Sequence, residues 1–134
     1  ADEVEILTRQ ALHHPLEDIR PCLSLEQVRA IRSAIAAVRV SDEVKSYIVQ
    51  LVAQTRGRPG VALGASPRAS ITLMKLAQAL AAFDGMEFVL PDHVQEIAIP
   101  AVAHRLALDP QAKFSGLTAR QVMRDILQGV AAPR

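Results

Sequence analysis

Aromatic side chains are nearly missing from this sequence, with no tryptophan, one tyrosine and three phenylalanines among 134 residues. The hydrophobic fraction is nevertheless 50%, so a core must be assembled from Ala, Leu, Val and Ile, which suits closely packed helices in one domain of ordinary size. Cys22 is the single cysteine, which excludes an internal disulfide and argues against a cysteine metal site. Neither sign of charge prevails: 15 basic against 14 acidic residues leave a net +1, and no global field draws the chain to nucleic acid or a membrane surface. No apolar run reaches the roughly 18 residues of a spanning helix, and no basic-then-apolar leader precedes the first helical pattern. We therefore expect a soluble, cytoplasmic chain without membrane insertion. It begins without methionine, directly in helical pattern, and we expect a piece of something longer.

The equipment of catalysis is also missing. There is no glycine loop ending in Gly-Lys-Ser/Thr, and no apolar run ending in paired acids that would hold magnesium. His93 and His104 stand roughly three helical turns apart, too far to share a metal. His13 and His14 are adjacent and point apart, as solvated residues near a helix C-terminus. Asp92 and Glu96 are four residues apart, but at a helix start they complement the dipole rather than work as an acid–base pair. No catalytic residue and no metal site is expected in this chain alone.

What is present gathers around Gly64-Ala65-Ser66-Pro67-Arg68-Ala69. Ser66 is a good N-cap, its hydroxyl suited to accept from a first-turn N–H. Pro67 then falls on the first helical position, where its missing donor costs nothing. Arg68 follows in the first turn, beside free N–H groups and partial positive charge, a place for an anion such as phosphate. On spacing alone Arg68 suits that contact and plain solvation equally. The helix behind it, to about Asp84, is apolar on most of its circumference, with Arg68, Thr72, Lys75 and Gln78 as a narrow polar stripe. That pattern predicts a central, buried helix.

The rest of the chain reads as amphipathic helices. Asp2 to His14 places Val4, Leu7 and Ala11 on one face, with Ile6 and Leu12 beside it, before Pro15. Ser24 to Gln27 forms a capping box for a helix whose apolar line is Leu25, Val28, Ile31, Ile35 and Val38; Arg29, Arg32 and Arg39 lie off it. Ser41-Asp42-Glu43 starts the next helix, with Val44, Tyr47, Ile48, Leu51 and Val52 inward. Thr55 to Leu63 is an irregular loop carrying Arg56 and Arg58, so three arginines converge on one helix start. After the Asp84-Gly85 turn, Glu87-Phe88-Val89 is a short extended piece, as is Val38-Arg39-Val40. A helix from Pro91 to about Leu108 places Val94, Ile97, Ala98, Val102 and Leu106 inward, with Pro100 kinking it. Asp109 to Gly116 is a loop. Thr118 to Gln121 is a second capping box, opening a last helix with Val122, Ile126, Leu127 and Val130. The prediction is an all-α bundle of about six helices with a tiny two-strand ribbon.

Across nearly the whole chain the order of residues resembles the C-terminal lid of the MoxR family of AAA+ ATPases. The likeness is carried by Tyr47 to Val52 with Thr55-Arg56, by Leu63 to Ala69, and by Gly85, Phe88-Val89, Pro91-Asp92, Val94 and His104-Arg105-Leu106. Pro15-Leu16-Glu17, Pro21 and Leu23-Ser24 match the segment joining core to lid. Three departures stand out: Met86 where the family has a basic residue, Leu90 in place of a hydroxyl cap, and Arg58 where histidine is common before Pro59. The resemblance implies that residues 1–23 are helix and linker from the ATPase core, and 24–134 the lid. It implies that Arg68 is the sensor 2 arginine at the γ-phosphate, with Gly64, Ala65, Ser66, Pro67 and Arg56 supporting it. ATP and Mg²⁺ are implied for the parent protein, as are the core of the same chain and neighbouring subunits of a hexameric ring. A chaperone-like role in maturing or metal-loading partner complexes, beside von Willebrand factor A domain proteins, is implied too. Two other readings stay open: a helical DNA-binding module, against which the apolar helix behind Arg68 and the lack of aromatics speak, and a ligand-free interaction domain.

Overall fold

A computed structural model describes residues 2–11 and 14–133. The chain divides into two units, Ala1–Ile31 and Arg32–Arg134.

The first unit holds helix α1 (Asp2–Gln10), a 3-10 turn over Pro15–Asp18 and the beginning of helix α2 (Leu25–Ala37). The capping box forms as its residues predict: the Gln27 N–H donates to Ser24 Oγ at 3.2 Å, and the Ser24 N–H to Gln27 Oε1 at 2.7 Å. Neither helix buries a residue. Val4, Leu7, Leu25, Val28 and Ile31 line up as expected, yet each is at least 40% exposed. Apolar period makes a face; it does not supply what covers it. α1 is also shorter than its pattern, ending at Gln10; Leu12 and His13 lie outside the described residues. His14 is exposed as expected, but it stands before the 3-10 turn rather than at the end of α1: its Nδ1 accepts from the Leu16 N–H at 3.2 Å and caps that turn.

The second unit contains the core. Helix α3 (Asp42–Ala53) starts at Ser41, whose hydroxyl accepts from the Val44 N–H at 3.3 Å, and buries Val44, Tyr47, Ile48, Leu51 and Val52 as its period predicts. Helix α4 (Pro67–Phe83) lies between α3 and helix α5 (Pro91–Val102) and packs on both. Its buried stripe is Ala69, Leu73, Ala77 and Ala81, at four-residue steps; the three alanines among them let neighbouring backbones come close. The expectation of a helix buried on most sides is corrected, since Ile71 is 53% and Phe83 86% exposed. A Schellman turn closes α4: the Met86 N–H donates to the Ala81 C=O and the Gly85 N–H to the Ala82 C=O, with Gly85 at φ +70°, the conformation glycine adopts without penalty.

α5 ends six residues earlier than predicted. Pro100 is exposed in its last turn, and beyond Val102 the chain tightens into a 3-10 turn over Ala103–Arg105. Leu106 therefore lies outside the helix. Strand β2 (Ala107–Leu108) follows and pairs antiparallel with β1 (Val61–Leu63), Val61 opposite Leu108 and Leu63 opposite Ala107 across a bulge. The ribbon exists, but it is built from residues read as loop and helix end. The two short extended pieces, 38–40 and 87–89, meet at a single parallel bridge between Arg39 and Phe88. A short helix α6 (Pro110–Phe114) replaces the predicted loop, and helix α7 (Ala119–Gly129) follows. Its capping box forms, with the Gln121 N–H to Thr118 Oγ1 at 3.2 Å and the Thr118 N–H to Gln121 Oε1 at 3.0 Å. Val122 and Ile126 are buried as predicted, joined by Met123. The fold is thus mostly α, with seven α-helices and one two-stranded sheet among the described residues.

Candidate functional site

The site is the start of α4 and the corner that holds it. Thr55 follows the end of α3 and is fully buried. Its hydroxyl donates to the Val52 C=O at 2.6 Å and accepts from the Ala65 N–H at 2.9 Å, so a buried polar side chain is satisfied in both roles. From the neighbouring residue, Arg56 Nε donates to the Ala65 C=O at 3.0 Å. Both backbone groups of Ala65 are thereby held, and Ala65 itself is 2% exposed. Gly64 lies against the same corner: a Cβ there would stand 2.6 Å from the Thr55 O and 2.9 Å from the Arg56 Cα. Those are backbone atoms that cannot swing aside, so only glycine allows the approach.

Ser66 takes the extended backbone of an N-cap, but its hydroxyl makes no cap hydrogen bond, contrary to expectation. The Ala69 N–H already donates to the Ser66 C=O at 2.8 Å, and Pro67 has no N–H to offer. Pro67 occupies the first turn as predicted. Arg68 is exposed, and among the described residues its guanidinium has no hydrogen-bond or ion-pair partner within the chain. A free cation beside the positive end of a 17-residue helix is repelled by that end unless an anion joins them.

Two of the three arginines share a pocket. Arg56 is tied to the helix start through Ala65, and it shares with Arg58 a shallow depression of about 440 Å³ lined also by Gln54, Gly57 and Pro59. Arg68 is absent from that lining. A larger depression, about 690 Å³ around Val40, Val44, Phe88 and Leu90, includes none of the three. Thr55 is the residue of this corner that periodicity missed. Its only sign in the sequence is a hydroxyl three residues beyond Val52, beside Arg56.

His93 and Asp84 meet at the junction of α4 and α5. His93 is buried; its Nδ1 accepts from the Leu90 N–H at 3.0 Å, and Nε2, which must then carry the proton, donates to Asp84 Oδ2 at 3.2 Å. The ring thus takes the N-cap backbone N–H, while the His93 N–H, which a hydroxyl at position 90 would have taken, donates to the Leu90 C=O at 3.2 Å. Among the described residues no three His, Cys, Asp or Glu gather where they would hold a metal ion, and no helix is long and apolar enough to cross a membrane.

Comparison with known proteins gives this geometry a family. The family model of the AAA lid domain matches residues 53–126, from the end of α3 into α7, with the Thr55–Ala65 corner and Arg68 inside. The chain belongs to the AAA lid domain family and is of the MoxR type. It is 39% identical over 132 residues to the uncharacterized protein YeaC of Bacillus subtilis, covering 98% of this chain and 41% of that protein. It is 30% identical over 142 residues to the chaperone MoxR1 of Mycobacterium tuberculosis, covering 99% of this chain and 37% of that one. A shorter match, 43% over 61 residues, is to the magnesium-chelatase 38 kDa subunit of Rhodobacter capsulatus, 45% of this chain and 17% of the subunit. In the crystal structure of a candidate ATPase from Cytophaga hutchinsonii the same fold recurs with a TM-score of 0.80 at 30% identity, covering 98% of this chain and 43% of that one. The chain spans about two fifths of the length of YeaC and MoxR1.

Proposed function

We propose that this chain is the nucleotide-sensing lid of a MoxR-type AAA+ ATPase, with Arg68 as its sensor 2 residue. The observation that carries the reading is the exposed, unpartnered guanidinium of Arg68 at the start of a helix whose backbone lead-in is pinned on both sides. A γ-phosphate would receive charge-assisted hydrogen bonds from that guanidinium and the field of the helix end. ATP with Mg²⁺, when bound, supplies the phosphoanhydride bond to be cleaved; both would be held by the remainder of the parent protein. This chain's own part is to bind the terminal phosphate and to move when it is lost. Because Arg68 rides on a packed three-helix core, release of the phosphate frees the lid as one body, and rotation against its neighbours follows.

In this reading residues 1–23 join the lid to the ATPase core and residues 24–134 are the lid. The parent works as a cytoplasmic ring, hexameric as the family resemblance suggests, in which lids meet neighbouring subunits. The names of the chaperone and magnesium-chelatase relatives support a chaperone-like motor that matures or metal-loads partner complexes, with von Willebrand factor A domain proteins as candidate partners.

The test is steady-state ATP turnover by the complete parent protein, unchanged and with Arg68→Ala. We expect a loss on the order of a hundredfold, as for removal of one charge-stabilising donor, with an unaltered melting temperature because the side chain is exposed and makes no hydrogen bond or ion pair among the described residues. Turnover within twofold of the unchanged protein would refute the assignment. The isolated chain should bind ATP feebly, one guanidinium and a helix end being no substitute for a phosphate loop.

A further inference from the structure

We propose that Thr55 and Arg56 form a positioning clamp that sets the direction in which Arg68 leaves the fold, an inference that rests on the phosphate-sensing reading of Arg68. The two side chains grip opposite ends of the same residue: Thr55 Oγ1 takes the Ala65 N–H and Arg56 Nε the Ala65 C=O. Thr55 is anchored in turn by its bond to the Val52 C=O in α3. Gly64, against the Thr55 backbone, closes the third side. Between Ala65 and Arg68 stand only Ser66 and Pro67, and the proline ring removes the freedom of one φ. The direction of Arg68 is therefore inherited from Ala65, and Ala65 has no free polar group with which to drift. Two features separate a clamp from ordinary packing. Thr55 is used for its hydroxyl, since a valine of the same shape would strand the buried Ala65 N–H. Arg56 is used for its Nε geometry rather than its charge, since a lysine ammonium has no donor at that point of the side chain.

The experiment is a double-mutant cycle on ATP turnover by the complete parent protein, each variant matched for folded fraction by circular dichroism. Thr55→Val should lower kcat by about ten- to a hundredfold, the scale expected when a catalytic contact is misplaced by an ångström, with KM changed far less. Thr55→Ser should recover most of that loss. In the Arg68→Ala background Thr55→Val should cost nothing further, because the residue it positions is gone; a purely structural loss would persist there. No effect of Thr55→Val, or the same loss with and without Arg68, overturns the clamp. Full turnover by Arg68→Ala alone overturns the phosphate-sensing reading instead, a different signature. If Thr55→Val fails to fold, the charge-preserving Arg56→Lys at the exposed surface carries the test: a several-fold fall in kcat is expected, and unchanged turnover overturns the proposal.

Discussion

Residues 1–31 and residues 32–134 carry the same kind of sequence signal and end in different physical states. Val4 and Leu7 on α1 repeat at helical steps, as do Leu25, Val28 and Ile31 on α2, no less regularly than Val44, Ile48 and Leu51 on α3. In the second unit these faces meet one another: Leu51 and Leu73 are fully buried, and Ile48 is 2% exposed. In the first, Val4 and Leu7 remain 67% and 70% exposed. A contiguous uncovered apolar face marks an interaction surface, and relatives more than twice as long as this chain make the rest of a parent protein its natural cover under the proposed function. Helical period reports that a face exists, and packing decides whether it contributes to stability.

The largest test of that contrast is a pair of identical truncations in this chain, followed by urea unfolding. Leu73→Ala should cost about 2–5 kcal/mol, the range for a buried leucine whose cavity cannot collapse. Leu7→Ala should stay within about 0.5 kcal/mol. Equal losses would mean that the first unit has a core of its own. A smaller contrast uses the two histidines that cap by the same atom. His93→Ala removes the acceptor of the Leu90 N–H and the partner of Asp84 in a buried setting, and should cost about 1–3 kcal/mol. His14→Ala removes an equivalent cap at an exposed turn and should stay within about 0.5 kcal/mol; a larger shift would break the contrast.

The smallest effect is one of pH and belongs to α3. Its hydrogen bond with Lys45, and behind that the Lys45 charge, hold the Asp42 carboxyl below the usual range; the Ser41 hydroxyl and then a backbone N–H do the same for Glu43. Lowered folded-state values mean that the unfolded chain binds protons first as pH falls. Their contribution is complete at neutral pH and is lost as pH drops through the ordinary carboxylate range and below the depressed values. Urea midpoints between about pH 6 and about pH 3 should therefore decline less steeply in an Asp42→Asn/Glu43→Gln variant than in the unchanged chain. Parallel profiles would remove these two acids from the account.

Local chemistry made much of the second unit legible. The Ser41 cap, the Thr118–Gln121 box, the Asp84-Gly85 stop and the buried face of α3 each depend on residues within a turn of one another, where spacing is geometry. The β1–β2 ribbon was hidden because Val61–Leu63 and Ala107–Leu108 are short, and short segments signal little until they pair. Likewise α6 is a single turn behind a proline, indistinguishable by composition from a loop. At the site, Pro67 and Arg68 could be placed from the sequence because helix starts have a local grammar. Thr55 could not, since its partner Ala65 is ten residues away and the bond exists only where α3 and the lead-in to α4 meet.

By itself, then, the sequence determined the six longer helices, where they start, and that Arg68 would stand at the head of the central one. Those outcomes follow from backbone hydrogen bonding and side-chain period within about four residues. Only the tertiary structure decided which apolar faces are covered, that Ser66 would leave its hydroxyl uncommitted, and that Thr55, Arg56 and Gly64 would converge on Ala65. Those depend on contacts between segments far apart in the chain, and their positions are set by close packing of whole helices rather than by any one residue's preference.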